Sequence, residues 1–380
     1  MGFSRREDFC RNGKKERKML KERLKPYFEE LVKSYVFNEL SVDFLNKIGA
    51  SDILLGVPMP IKESMLTNSK GVSLTVLDIA RAAAVVLGCD PDFPYAETYK
   101  LFLQRIFKEK TEEVLVSEGY ERFSSASAGV SAETAESAGC TVDGKGSEQR
   151  KNELLEAACF FRAAIIINEV SLNGLYGYAL CCRELYLDAD EETYIGKFKA
   201  ESIETLETLT IKHPDFAFAY YYLGYAYLNM GLYTKAYLVW KDFLQKIDGS
   251  SSKDELNDEI NEIKGRMASL AAPMEIEAGV AAVTSGRYHE GIEILSEYTQ
   301  SEFSAWWPMH YYIGVAYESI GKAEEAIAAF KKALEFSPSN IEVMDELVAV
   351  YCALGDKENE LKYARKIEVV RKNYEQEVSL

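Results

Sequence analysis

Apolar residues recur at helical spacing along most of the chain. Between Leu31 and Ile48 they return every three or four positions, and the run ends at Gly49. Thr75 and Asp78 stand three apart ahead of Val76–Leu87, the spacing of a capping box, and Gly88 and Pro91 close that run. Pro94 opens a third run, Tyr95–Val116, with Leu101, Phe102, Ile106 and Phe107 apolar. Leu154–Ile167 and Leu175–Leu187 supply two more. Val57–Ile61 (VPMPI) reads as an extended turn with no chemistry of its own. Strand signals are weak throughout, so the pattern predicts an all-α fold.

From Ser124 to Ser147 the pattern stops. Six Ser, five Ala and four Gly fill 15 of these 24 positions, with no aromatic, Leu or Ile among them. Such a stretch buries too little apolar surface to offset its ordering entropy, which predicts a flexible linker or long loop over 117–150. Ahead of it, residues 27–116 form an N-terminal helical region without a clear repeat. Decayed helical hairpins and a separate helical cap both suit that region.

The C-terminal half repeats itself. Gly321 and Gly355 are 34 apart, as are Tyr317 and Tyr351; Gly286 to Gly321 and Gly279 to Gly314 are each 35. Gly231 to Gly286 is 55, one period plus an insertion of 21. The clearest unit, Trp307 to Asn340, holds Ile313-Gly314, Tyr317, Gly321, Ala326, Phe330, Ala333 and Pro338. This spacing resembles the tetratricopeptide repeat, W-x2-L-G-x2-Y…A-x3-F…P, with His310 in place of the leading Trp. Packing explains the residue types. His310, Ile313, Gly314 and Tyr317 share one face of a first helix, and Gly314 lets a second helix approach. Ala326, Phe330 and Ala333 fill the contact, Gly321 allows a turn of positive φ, and Pro338 stops the second helix.

Other units fit in part. Residues 217–250 carry Tyr220, Leu223-Gly224, Tyr227, Gly231, Ala236 and Trp240. Residues 341–374 carry Met344, Leu347, Tyr351, Gly355, Ala364 and Ile367, with Val348 where a small residue belongs. Residues 272–306 keep Gly279, Gly286, Leu295 and Tyr298, and 151–216 read as divergent repeat-like helices that end at Pro214. Within the insertion, 251–271, Ser252 and Glu255 have capping-box spacing ahead of a helix carrying Ile260, Ile263 and Met267. A basic arm (1–26) and a short tail (375–380) complete the division.

The resemblance implies an α-solenoid of stacked helix-turn-helix hairpins whose first helices line an inner groove. Spacing then places Phe218, Tyr221, Tyr225 and Leu228, next Ile276 and Val280, next Tyr311, Val315 and Glu318, and last Glu342 and Asp345 along that groove. It is aromatic and aliphatic at one end and acidic at the other. Some members of the family grip the acidic tails of heat-shock chaperones with Lys, Arg and Asn at such places. No cation or amide stands there in this chain, so that mode is not expected. A protein or peptide ligand that is apolar with a basic flank suits the groove, as a docked helix or an extended segment. Filling by the chain's own insertion or N-terminal helices, and plain packing of the tyrosines, are the alternatives.

Charge adds one feature. The chain has 380 residues, 44 Lys plus Arg and 61 Asp plus Glu, for a formal net charge of −17. An acidic surface repels nucleic acid and anionic lipid. The first 25 residues reverse this, with ten cations against four carboxylates, among them Arg5, Arg6, Lys14, Lys15, Arg23 and Lys25. That arm suits nucleic acid or an anionic surface; equally it suits a solvated helix start that leans on the chain's own acidic body. Seven cysteines form no C-x-x-C and no zinc-finger spacing, and His213, His289 and His310 are far apart, so neither metal nor cofactor is expected. Cys181-Cys182 sits amid apolar residues and reads as packing. No phosphate-loop, nucleophile-elbow or zinc-protease motif occurs, so catalysis is not expected. Basic residues open the chain with no apolar h-region behind them and no run long enough to span a bilayer, so a cytoplasmic protein is expected. Two functions follow: an interaction scaffold, or a regulator whose basic arm contacts nucleic acid or an anionic surface while the solenoid senses a protein partner.

Overall fold

The computed structural model describes residues 23–66, 74–128, 144–248 and 255–378. Backbone contacts divide the chain into two units, Met1–Ala226 and Tyr227–Leu380.

The first unit opens with helix α1 (23–32), which buries Leu24, Phe28 and Leu31. Two strands follow, β1 (Tyr35–Glu39) and β2 (Pro58–Lys62), paired antiparallel with Tyr35 opposite Lys62 and Phe37 opposite Pro60. Between them lie α2 (Val42–Lys47) and α3 (Ser51–Leu54), and α4 (Glu63–Leu66) follows β2. This hairpin corrects the reading of Leu31–Ile48 as one helix and of VPMPI as a turn. Tyr35, Val36 and Phe37 favour extended backbone, and Pro58 and Pro60 need no amide donor in a two-stranded sheet.

Helix α5 (Val76–Cys89) starts on the expected capping box: the Asp78 amide donates to Thr75 Oγ1 at 3.2 Å, and the Thr75 amide to Asp78 Oδ2 at 3.0 Å. Every residue from Ile79 to Cys89 except Arg81 is buried, because alanines at 80 and 82–84 let neighbours close on all sides. The third run is split. Helix α6 (Ala96–Phe107) ends where Lys108 takes φ 54°, a 3₁₀ turn spans Lys108–Lys110, and α7 (Thr111–Ala128) starts afresh.

Helices also enter the expected linker from both ends: α7 runs to Ala128 and α8 (Gly144–Ile167) begins at Gly144. The small residues serve packing here. Ala126 is buried, its carbonyl accepts from Arg150 Nε at 3.1 Å, and Ser125 and Ser127 donate to the carbonyls four residues back. Residues 129–143 lie outside the described part. Helices α9 (Leu172–Leu187), α10 (Glu192–Lys212) and α11 (Ala217–Leu228) follow, and the division between units falls inside α11. Phe161 of α8 sits between two glycines: a Cβ at Gly119 of α7 would lie 2.8 Å from its ring, and one at Gly177 of α9 2.3 Å. Cys181 and Cys182 are buried as expected.

The second unit holds α12 (Tyr233–Asp248), α13 (Asn257–Ser269), α14 (Ala271–Thr284), α15 (Tyr288–Glu297), α16 (Trp307–Ser319), α17 (Ala323–Phe336), α18 (Ile341–Leu354) and α19 (Lys357–Val378). From α14 to α19 each helix packs on the next, and α14 also meets α16. The fold is therefore all-α, with solenoid-like stacking of hairpins. Gly231, Gly286, Gly321 and Gly355 all hold positive φ, 70° to 80°, at the turns their period predicts. Ser252 lies outside the described residues; α13 begins at Asn257, beyond Glu255.

Gly314 and Phe330 meet as the spacing requires, a Cβ at Gly314 falling 2.5 Å from the ring. Gly279 and Leu295 repeat the contact in the preceding hairpin, at 2.7 Å. In the last hairpin Ala364 stands where Phe330 has its counterpart. There Tyr363 stacks on Tyr351 instead, with ring centroids 5.9 Å apart.

Candidate functional site: an aromatic and acidic face

Helix α16 places Trp307, Tyr311, Val315 and Glu318 three or four residues apart, hence along one face. Trp307 meets Tyr311 edge-on at 6.2 Å, and the Tyr311 ring lies 6.0 Å from that of Phe330. This fixes the ring and sends the hydroxyl toward α18. There it donates to Glu342 at 3.3 Å and to Glu346 at 3.2 Å. Burial and the two carboxylates push the Tyr311 hydroxyl well above the ordinary phenol range. Glu318 is half-buried, and its carboxyl is pushed up by that burial and by the charge of Glu346. Among the described residues, none of Glu318, Glu342 and Glu346 has a basic side chain within 4.0 Å.

Of the residues expected in the groove, Tyr311 and Glu342 are brought into contact, and Glu318 is joined to them through the charge of Glu346. Val315 is half-buried beside them and touches the cores on both sides of α16. Asp345 points elsewhere: it is exposed and 4.0 Å from Arg371 of α19. Ile276 is buried with Val283, Leu295, Met309 and Ile313 and offers no surface to a ligand, while Val280 is half-buried against that core. Glu346 and Trp307 were missed. Each lies four residues from an expected member, Glu342 or Tyr311, so helical spacing alone could have found them.

On α11, Phe218, Tyr221 and Tyr225 form a ladder of half-buried rings, 6.3 Å and then 5.1 Å apart. Tyr221 also meets Tyr222, which lies under the guanidinium of Arg183 at 5.4 Å. Leu228, at the end of the same helix, is half-buried and belongs to the second unit.

The first unit also holds an open cleft of about 650 Å³ between β2, α7 and α8. Its cations are already paired: Lys62 with Glu156, and Arg122 with both Glu118 and Glu156. Burial opposes the Glu118 charge, but Arg81 and Arg122 outweigh it and hold the carboxyl below its ordinary value. Elsewhere in this unit, Arg162 donates to the Gly88 carbonyl at 2.7 Å and to Tyr178 at 3.0 Å, and Tyr178 donates to buried Glu201 at 2.7 Å. The described end of the basic arm is turned onto the chain itself. Arg23 bonds Glu204 at 2.8 Å and lies 3.8 Å from Glu201, and Lys25 pairs with Glu29 at 3.3 Å. Residues 1–22 lie outside the described part. Among the described residues no group of His, Cys, Asp and Glu could hold a metal ion, and no helix is long and apolar enough to cross a membrane.

Comparison with known proteins gives a local match. The tetratricopeptide repeat family model matches residues 307–340, the hairpin that presents Tyr311 and Glu318. No curated protein matches the sequence. Solved structures with detectable likeness include three chains. The TPR domain of P58(IPK) is 19% identical, covering 57% of this chain and 55% of that one, with a TM-score of 0.32. MamA 41-end from Desulfovibrio magneticus RS-1 is 16% identical over 51% of this chain and 96% of its own, TM-score 0.28. YrrB, described as a TPR protein with an unusual peptide-binding site, is 14% identical over 56% and 92%, TM-score 0.27. Scores this low carry no weight for function.

Proposed function

We propose that this chain, which carries a tetratricopeptide repeat at 307–340, is a protein-interaction scaffold. Its α16–α18 face takes an apolar segment with a basic flank. One observation carries the reading: Glu342 and Glu346 accept from the Tyr311 hydroxyl, Glu318 feels the charge of Glu346, and none of the three has a basic partner within 4.0 Å among the described residues. A Lys or Arg side chain arriving there relieves their mutual repulsion, while Trp307, Tyr311 and Val315 receive the apolar part. Acidic tails would meet like charge, so the chaperone-tail mode is not favoured. The role proposed for this face is binding.

The test is an array of immobilised amphipathic peptides of matched apolar content with Lys/Arg, neutral or Asp/Glu flanks, probed with the full chain. Basic-flanked peptides should be retained, and retention should fall with rising salt. It should also fall several-fold in the double variant Glu342→Gln plus Glu346→Gln. Equal retention of all three flank types, or of the variant and the parent, would overturn the reading.

A further inference from the structure

Cys89 closes α5 and Cys159 lies in the middle of α8, and their sulfurs are 3.3 Å apart. We propose that these two thiols form a dithiol site that closes into an intrachain disulfide joining α5 to α8. Nothing in the binding reading above requires it.

Three observations carry the proposal. The separation is already within about 1.3 Å of an S–S bond, about 2.0 Å long. The contact is held by backbone: a Cβ at Gly88 would fall 2.0 Å from the Cys159 carbonyl oxygen, so the two helices are as near at this point as main chains come. Arg162, one helical turn along α8 from Cys159, fastens the same crossing through its bond to the Gly88 carbonyl. Both sulfurs therefore face each other on rigid elements, not on loops that could carry them apart.

Burial sets the order of events. Cys159 is fully buried and its thiol is pushed well up by that burial and by Cys89; Cys89 sits at the helix end and keeps 5% exposure. A diazene such as diamide therefore meets Cys89 first. The Cys89 sulfur adds to the N=N bond, and the thiol proton passes to the other nitrogen. The Cys159 sulfur then attacks the Cys89 sulfur. The S–S bond forms, the S–N bond breaks, and the hydrazine leaves with the second proton. Two thiols lose two electrons and two protons, and the diazene gains both.

The full chain, reduced and freed of reductant, is treated with diamide. Remaining thiols are blocked with N-ethylmaleimide in denaturant, and the protein is digested without reduction. The expected product is one peptide pair joined through Cys89 and Cys159, 2 Da below the sum of its halves. It should disappear on dithiothreitol treatment and persist in Cys352→Ser, which removes the exposed thiol among the described residues. Complete N-ethylmaleimide labelling of both residues, under conditions that consume Cys352, would overturn the proposal. So would a preferred link from either residue to Cys181 or Cys182. Cys89→Ser and Cys159→Ser should each abolish the pair; the parent peptide map decides the matter even where a variant folds poorly.

Discussion

Gly314→Ala is the sharpest test of how the hairpins close. A Cβ built at Gly314 lies 2.5 Å from Phe330 Cε1 and 2.6 Å from Cδ1, well inside contact distance. The ring has nowhere to swing, for Phe330 is fully buried between Ala326 and Ala333, with Tyr311 against it. Helices α16 and α17 must part instead. Overpacking of that kind costs about 1–3 kcal/mol. Helix propensity works the other way, since Ala is better than Gly by about 1 kcal/mol. The balance is a loss of about 1 kcal/mol. Gly265, inside α13, has no atom within 4 Å of its would-be Cβ. Gly265→Ala therefore keeps only the propensity gain, about 0.5–1 kcal/mol. The same chemical change in the same unit should move stability in opposite directions. Urea unfolding followed by circular dichroism, with calorimetry beside it, reads the sign; the scale is about 2–4 °C per kcal/mol for a unit of this size. Phe330→Leu should recover part of the Gly314→Ala loss in a double-mutant cycle. A Gly314→Ala protein as stabilised as Gly265→Ala would mean the helices do not approach at Gly314, and the packing account of the repeat would fail.

Other outcomes follow from the geometry. Phe161→Ala removes the ring held between Gly119 and Gly177 and should cost about 3–5 kcal/mol, read as the largest loss among single truncations in the first unit. Glu118 has a carboxyl lowered in the folded state from an ordinary value of 4.5. Its stabilisation is present above that value and is lost as pH falls through the lower folded one, so Glu118→Gln should flatten the acid limb of a stability–pH curve; an unchanged limb would refute it. Tyr311 is one of several tyrosines held above the ordinary phenol range, so ultraviolet difference titration of the parent against Glu342→Gln plus Glu346→Gln should show one tyrosine returning toward that range; superimposable curves would refute the coupling.

The division between what the residues encode locally and what packing decides is visible element by element. The turn glycines at 231, 286, 321 and 355 were legible because positive φ is a property of one residue in its turn, and all four adopt it. The Thr75–Asp78 box spans three residues, and the Gly314–Phe330 contact follows from a period of helical geometry; both formed as the spacing predicts. Tyr35–Glu39 was misread because a short apolar run such as Tyr35-Val36-Phe37 suits a helix or a strand equally well. Its extended state is settled by Pro58–Lys62, which pairs with it from 23 residues away. The Ser and Ala of 124–128 looked too poor to order, yet Arg150 and the flank of α8 supply the contacts that composition lacks. Likewise Tyr311 meeting Glu346, and Cys89 meeting Cys159 across 70 residues, belong to helix stacking alone. Backbone preference acts over a few bonds and is written where it acts. Which side chains share a surface depends on how whole helices seat against one another, and no short stretch of sequence contains that.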